Sequence, residues 1–260
     1  MLWRPRRNKL RGLFFALLLA LVFASGCGNR GEDVSSSEWT SMGTLASVRV
    51  RGGDVAEARD VVRAAFSEVE RLLNAHDKAA EICTLAPLDD DQILSWCSPV
   101  VKPCYAAAFQ MRDDTEGLFN PRWKGLKTLD LGAIAKGFAV DLAAERLREA
   151  GLHSEILVDL GGNLKSVSGE WRIALYGSQE VFVLKSGEAA ATSGEYFRGK
   201  HIFNGRTLEA CSNRIYSVTI IHPSSAMRAD ALSTALFIMG KEKGSEFLNR
   251  RYPEARAIWL

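Results

Sequence analysis

Several common catalytic signatures are missing from this 260-residue chain. No GxGxxG follows a strand pattern and no GxxxxGK[ST] occurs, so the Rossmann fingerprint and the P-loop are excluded. HExxH and GxSxG are absent as well, which removes the usual support for zinc-protease and serine-hydrolase readings. The five cysteines form no CxxC pair, and this argues against a zinc site. Strong charge of one sign is also lacking. The formal net charge is +2, and Arg4, Arg6, Arg7, Lys9 and Arg11 are all in the N-terminal leader, which has no acid. Setting those five cations aside leaves the remainder at −3, so nothing points to nucleic-acid binding. No internal repeat or low-complexity tract is visible.

Long apolar runs are missing too. Leu13–Ala24 is unbroken but only about a dozen residues long, too short to span roughly 30 Å of hydrocarbon. Behind a basic n-region it fits the h-region of a secretory signal. It ends in Ala24-Ser25-Gly26-Cys27, which resembles the lipobox of bacterial lipoproteins, with Ala24 where leucine is usual. The expectation is a signal peptide over 1–26, a lipidated Cys27, and a chain anchored by that lipid to the bacterial cell membrane, facing the periplasm. The alternatives are a plain signal peptide with a chance cysteine and, through Arg6-Arg7, twin-arginine export. Residues 28–38 read as a flexible tether, leaving one domain over 39–260. Cys83, Cys97, Cys104 and Cys211 remain, an even number for an oxidising compartment. Cys97 and Cys104 are one candidate pair among several arrangements.

Alternation over Thr44–Arg51 predicts a strand, and i, i+3, i+4, i+7 spacing predicts a helix over Asp54–Ala75. Further helices are expected at Tyr105–Asp113, from near Ala133 to Gly151, and at Ala226–Met239, with a short one near the end. Strands are expected at Glu155–Leu160, Trp171–Leu175, Val181–Leu184, Ala189–Thr192, Tyr216–His222 and Ala255–Trp259. There is no regular βαβ alternation, so the class is α+β, with mixed, largely antiparallel sheets and packed helices.

Five segments carry candidate chemistry. Asp130-Leu131-Gly132-Ala133-Ile134-Ala135-Lys136-Gly137 runs from an acid through a small-residue turn into a helix. It is either an ordinary turn or a phosphate site built from helix-start N–H groups and the Lys136 ammonium. Asp230 and Thr234 lie at i and i+4 on one helical face, a hard oxygen pair suited to Mg²⁺. The plain alternative is a helix-start Asp and a back-bonded Thr. Asp159-Leu160-Gly161-Gly162-Asn163 reads as a tight turn or a close approach to a ligand. Thr192-Ser193-Gly194-Glu195-Tyr196 and the lone His201 complete the set.

The order of these segments, with Met42-Gly43-Thr44 ahead of them and Ala229-Asp230-Ala231-Leu232-Ser233-Thr234-Ala235-Leu236 after them, resembles the ApbE family of FAD:protein FMN transferases. The resemblance covers roughly residues 39–258. It implies an ApbE/T-fold-like fold and Mg²⁺-dependent transfer of FMN from FAD to a threonine of a target flavoprotein, with release of AMP. It implies that Met42, Asp130 and Lys136 contact the flavin nucleotide. The Ala133 carbonyl, Asp230 and Thr234 would hold magnesium. Leu118, Phe119 and Asn120 would lie beside the flavin, His76 where a tyrosine often stacks, and His201-Ile202 at the catalytic histidine; His201 or Asp230 would accept the proton. The chain departs from the family at three places. Family members usually read His-Ile-x-Asp-Pro-x-Thr-Gly, whereas this chain has His201-Ile202-Phe203-Asn204-Gly205-Arg206-Thr207-Leu208. Asn120 replaces an acid, and the stretch 121–128 is far shorter than usual. The rival readings are therefore a degenerate FAD-binding lipoprotein without transfer, an FAD pyrophosphatase giving FMN and AMP, and an interaction lipoprotein that keeps only the fold.

Overall fold

The computed structural model of the protein describes residues 33–195, 201–211 and 215–260. The leader, Cys27 and Tyr196 lie outside these described residues. Nine strands and seven helices are described, in the order β1 (Val34–Ser41), β2 (Thr44–Arg51), α1 (Val55–Leu73), α2 (Glu81–Leu85), α3 (Asp90–Trp96), α4 (Lys102–Asp114), α5 (Ala135–Glu149), β3 (Glu155–Leu160), β4 (Asn163–Ser166), β5 (Trp171–Ala174), β6 (Val181–Leu184), β7 (Ala189–Gly194), β8 (Ser217–His222), α6 (Ala226–Met239), α7 (Lys241–Arg251) and β9 (Arg256–Trp259). No helix among the described residues is long and apolar enough to cross a membrane.

Seven strands form one sheet in the order β1-β2-β3-β4-β7-β8-β9, and β5 pairs with β6 in a separate hairpin. Every pairing is antiparallel, in agreement with the α+β reading. Strand periodicity sends alternate residues to opposite faces, and both faces are covered. Ile156, Val158 and Leu160 of β3, with Val218 and Ile220 of β8, enter the main core with the helices. Leu157 and Ile221, one residue out of phase, pack instead with Trp171, Ile173 and Leu184 of the hairpin. Helix α1 starts where Asp54 Oδ1 accepts the Ala56 and Glu57 N–H groups, at 2.7 and 3.4 Å. It buries Ala58, Val62, Phe66, Val69 and Leu72 at the predicted helical spacing; each large apolar side chain so buried contributes about 1.5–3 kcal/mol.

Two tight hairpin turns meet at one end of the sheet. Met42 and Gly43 join β1 to β2 with φ of 47° and 69°, and Gly161 and Gly162 join β3 to β4 with φ of 60° and 86°. Positive φ at both central residues is the type I′ hairpin signature, so the Gly-Gly pair is first of all a turn. A Cβ on Gly161 would come within 2.6 Å of Thr44 Oγ1, so the glycine also lets the two hairpins meet.

Some expectations change. The tether does not reach residue 38: β1 begins at Val34 and pairs along its length with β2. Its polar sequence suits an edge strand, pinned by Trp39 against Phe66 at 6.1 Å. The Cys97–Cys104 pair is not formed; Cys83, Cys97, Cys104 and Cys211 are free thiols. Helix α5 opens at Ala135, after Ile134, close to the expected start near Ala133.

Candidate active site

Helices α5 and α6 build the centre of the site by exchanging caps. The first N–H groups of a helix have no partner within it. At α6 these are met by Asp141 of α5, whose Oδ1 accepts the Ala226 N–H at 2.9 Å and whose Oδ2 accepts the Met227 N–H at 3.0 Å. Ser225 Oγ donates to the same carboxylate at 2.8 Å, and the buried Lys165 ammonium from β4 lies 3.1 Å from it. In return, Asp230 of α6 accepts the Gly137 N–H in the first turn of α5 at 3.0 Å. The Lys136 ammonium lies 3.7 Å from the same oxygen and donates to the Gly132 carbonyl at 2.9 Å. A Cβ on Gly137 would fall 2.3 Å from the Ala226 carbonyl oxygen, so only glycine allows this approach. Gly137 serves a helix–helix contact, and its N–H is taken by a carboxylate of the protein itself.

This junction forms one wall of a cavity of about 640 Å³. Asp130, Ala133, Lys136, Asp230 and Thr234 all line it, as do His76, Leu118, Phe119, Asn120, His201 and Ile202 from other segments. Residues far apart in sequence are thus brought to one place. Met42 does not line the cavity. It sits at the β1–β2 turn with its N–H 3.4 Å from Glu70 Oε2, and Thr44 reaches the cavity in its stead.

Hydroxyls extend the Asp230 corner. Ser193 Oγ at the end of β7 lies 2.8 Å from Ser233 Oγ and 3.3 Å from Thr234 Oγ1. Asp230, Thr234 and Ser193 thus offer side-chain oxygens to the cavity, which Ala133 also lines. Among the described residues no three His, Cys, Asp or Glu side chains group as metal ligands. One carboxylate with neutral oxygens fits Mg²⁺, which keeps several waters and takes substrate phosphates as ligands.

The electrostatics of the two other cavity carboxylates differ. Burial alone would raise Asp130, but the Lys124 ammonium at 2.8 Å and the Gly132 N–H at 3.0 Å hold it below the usual carboxylate range. Asp159 is pushed up to about 6, chiefly by burial and against the Gly162 N–H that its Oδ1 accepts at 2.9 Å.

The departures from the family pattern lie together. Gly205 donates its N–H to the Leu118 carbonyl at 2.9 Å, and a Cβ on it would meet Asn120 Cβ at 2.4 Å. The Phe203 ring stacks on Trp123 with centroids 4.7 Å apart, and Lys124 Nζ lies 4.8 Å from the Trp123 centroid. The short 121–128 segment is pinned by Arg122, which bonds Asp90 and the carbonyls of Ala86, Leu88 and Leu126. Asn120, Trp123 and Phe203 therefore line the cavity together, and Gly205 packs behind Asn120. No motif in the sequence marks Asp141, Lys165 or Arg122, because each acts mainly through partners more than 20 residues away.

The ApbE family pattern matches residues 123–259. Over 135 residues the chain is 35% identical to an FAD:protein FMN transferase of Vibrio cholerae, covering 45% of this chain and 40% of that relative. Over 141 residues it is 37% identical to one of Klebsiella pneumoniae, covering 47% and 42%. The chain thus matches about two fifths of the length of these curated relatives. Among solved structures, the flavin transferase ApbE from Vibrio cholerae superposes with a TM-score of 0.73 at 20% identity, over 87% of this chain and 93% of that one. The ApbE protein from Thermotoga maritima gives 0.72 at 20% identity, over 88% and 94%. The fold is shared along nearly the whole described domain, and the family pattern spans more than half of the sequence, including both helices of the cap exchange: the chain belongs to the ApbE family.

Proposed function

We propose that this protein transfers the FMN half of FAD to a threonine hydroxyl of a target flavoprotein, with Mg²⁺ as cofactor, and that Cys27 carries a lipid holding it to the bacterial cell membrane on the periplasmic side. The observation that carries the transfer is the convergence of Lys136, Asp230, Thr234 and Ser193 on one wall of a cavity sized for a dinucleotide. The names of the relatives supply the reaction class.

In this reading the acceptor oxygen attacks the FMN-side phosphorus, the P–O bond to the AMP phosphate breaks, and AMP leaves with that bond's electron pair. Bound Mg²⁺, held by Asp230, Thr234 and the Ala133 carbonyl, would act as a Lewis acid on the pyrophosphate oxygens. Lys136 supplies a preorganised positive charge to the same oxygens. His201, exposed on the segment between β7 and β8 and lining the cavity, takes the acceptor's proton. Asp230 is the poorer choice for that task, since its oxygen already receives the Gly137 N–H and faces Lys136.

The test is product analysis after mixing the protein with FAD, Mg²⁺ and a flavoprotein acceptor. FMN-modified acceptor plus AMP is the expected outcome. Free FMN plus AMP would reveal a pyrophosphatase, and unchanged bound FAD a binding protein; either result overturns the transferase reading.

A further inference from the structure

The cap exchange between α5 and α6 is symmetric in form but not in place. Each helix start receives a carboxylate from the other helix, and each carboxylate has its own lysine: Asp230 with Lys136, Asp141 with Lys165. Asp230 and Lys136 line the cavity, whereas Asp141 and Lys165 do not. The second pair is the more enclosed at its lysine, since the Lys165 side chain is 4% exposed against 20% for Lys136. Lys165 also donates to the Ser224 carbonyl, just ahead of α6. His222 Nδ1 accepts the Ser224 and Ser225 N–H groups at 3.2 and 3.0 Å, so the approach to α6 is fixed residue by residue.

We propose that Asp141 is a positioning residue for the site: by capping α6 from within α5, with its charge balanced by Lys165, it sets the register that places Asp230 against Gly137 and Lys136. Asp141 and Gly137 lie four residues apart, one turn along α5, and Ala226 and Asp230 are one turn apart along α6. Two bonds one turn apart fix both the separation and the axial register of the two helices. One alone would leave α6 free to pivot about the Gly137–Ala226 contact. Asp141 touches neither substrate nor metal. Its effect reaches the site through Asp230, and it rests on the reading of Asp230 as a magnesium ligand.

The experiment titrates Mg²⁺ calorimetrically into the FAD-loaded protein, comparing wild type with Asp141→Asn, Asp230→Asn and Val48→Ala. Val48 is a sheet residue of the core that does not line the cavity, and it controls for plain loss of stability. Asparagine keeps the shape of Asp141 but cannot accept on both side-chain atoms. The Mg²⁺ dissociation constant of Asp141→Asn should rise 10–100-fold, the usual effect of removing a group that orients a metal ligand, with Val48→Ala within twofold of wild type. Wild-type affinity in Asp141→Asn, beside lost affinity in Asp230→Asn, would overturn the proposal. If Asp230→Asn also binds like wild type, the metal reading fails by itself. A second readout then decides the positioning role: exchange of the Gly137 amide, which needs no metal. Its protection in Asp141→Asn should fall at least tenfold further than that of the β2 and β3 amides; a parallel fall would overturn the proposal. Should Asp141→Asn not fold, Ser225→Ala removes one donor to Asp141 and is expected to shift both readouts the same way, about threefold. No shift in either readout with that variant would also overturn the proposal.

Discussion

Gly137→Ala separates a backbone-to-backbone helix contact from simple helix propensity. In an open helix, glycine to alanine gains about 1 kcal/mol. At Gly137 the new Cβ would fall 2.3 Å from the Ala226 carbonyl oxygen, 2.7 Å from its carbon and 2.8 Å from Asp230 Cβ. Two of those three atoms are backbone of α6, so no rotamer change relieves them and the helices must part. Overpacking of this kind costs about 1–3 kcal/mol. Parting also stretches the Gly137 N–H bond to the buried Asp230 carboxylate, and hydrogen bonds to charged groups contribute about 1.5–3 kcal/mol. Against the propensity gain, the net loss is about 1.5–5 kcal/mol. For a domain of this size that lowers the melting temperature by roughly 10 °C. Urea denaturation followed by circular dichroism measures it, and the slope should stay unchanged. A Gly137→Ala protein as stable as wild type, or more so, would refute the claim that α5 and α6 meet backbone to backbone at this residue.

Two further changes test the other walls. Restoring the family's usual proline by Gly205→Pro should destabilise the protein by about 2–4 kcal/mol. It removes the N–H donated to Leu118 and drives atoms into Asn120 and the Gly117 carbonyl; thermal melting checks this, and an unchanged midpoint would separate Gly205 from Asn120. Asp159→Asn tests the raised carboxyl. Its folded value of about 6 exceeds the ordinary 3.8, so its stabilising balance is complete below about pH 4 and is lost as pH rises through about 6. Asparagine keeps the oxygen that accepts the Gly162 N–H, so the variant should gain on wild type between pH 4 and 7 in urea midpoints, and a constant difference across that range would contradict the assignment.

How much of the molecule is legible in its sequence depends on the range over which each signal acts. Helix α6 is legible over its full span, Ala226–Met239, because Gly240 ends it at φ 83°. Strand β3 is legible because apolar residues fill it between polar turns. By contrast, β4 is fully buried although it contains Asn163 and Lys165. A buried lysine looks like surface until its partner is known, and Asp141 lies 24 residues away on another element. Helix α3 carries a local sign, the Asp89–Gln92 capping box, but is only seven residues long. The site divides the same way. Asp230 and Thr234 show their shared face by spacing alone, whereas the contact of Ser193 with Thr234 needs the β7–α6 packing. The altered residues Asn120 and Gly205 look like independent losses in sequence and prove to be touching neighbours.

In the proposed function the cavity takes a flavin dinucleotide with its pyrophosphate against Lys136. Flavin fluorescence titration with FAD, on wild type and Lys136→Ala, tests it most directly. Lys136 contacts Gly132 and Asp230, and its side chain is partly exposed, so the fold should survive its loss. Saturation at one FAD per chain is expected for wild type. Lys136→Ala should weaken binding by about 1.5–3 kcal/mol, roughly 10- to 150-fold, the scale of a charged hydrogen bond. Equal affinity in the two proteins, or no flavin binding by wild type, would contradict the account.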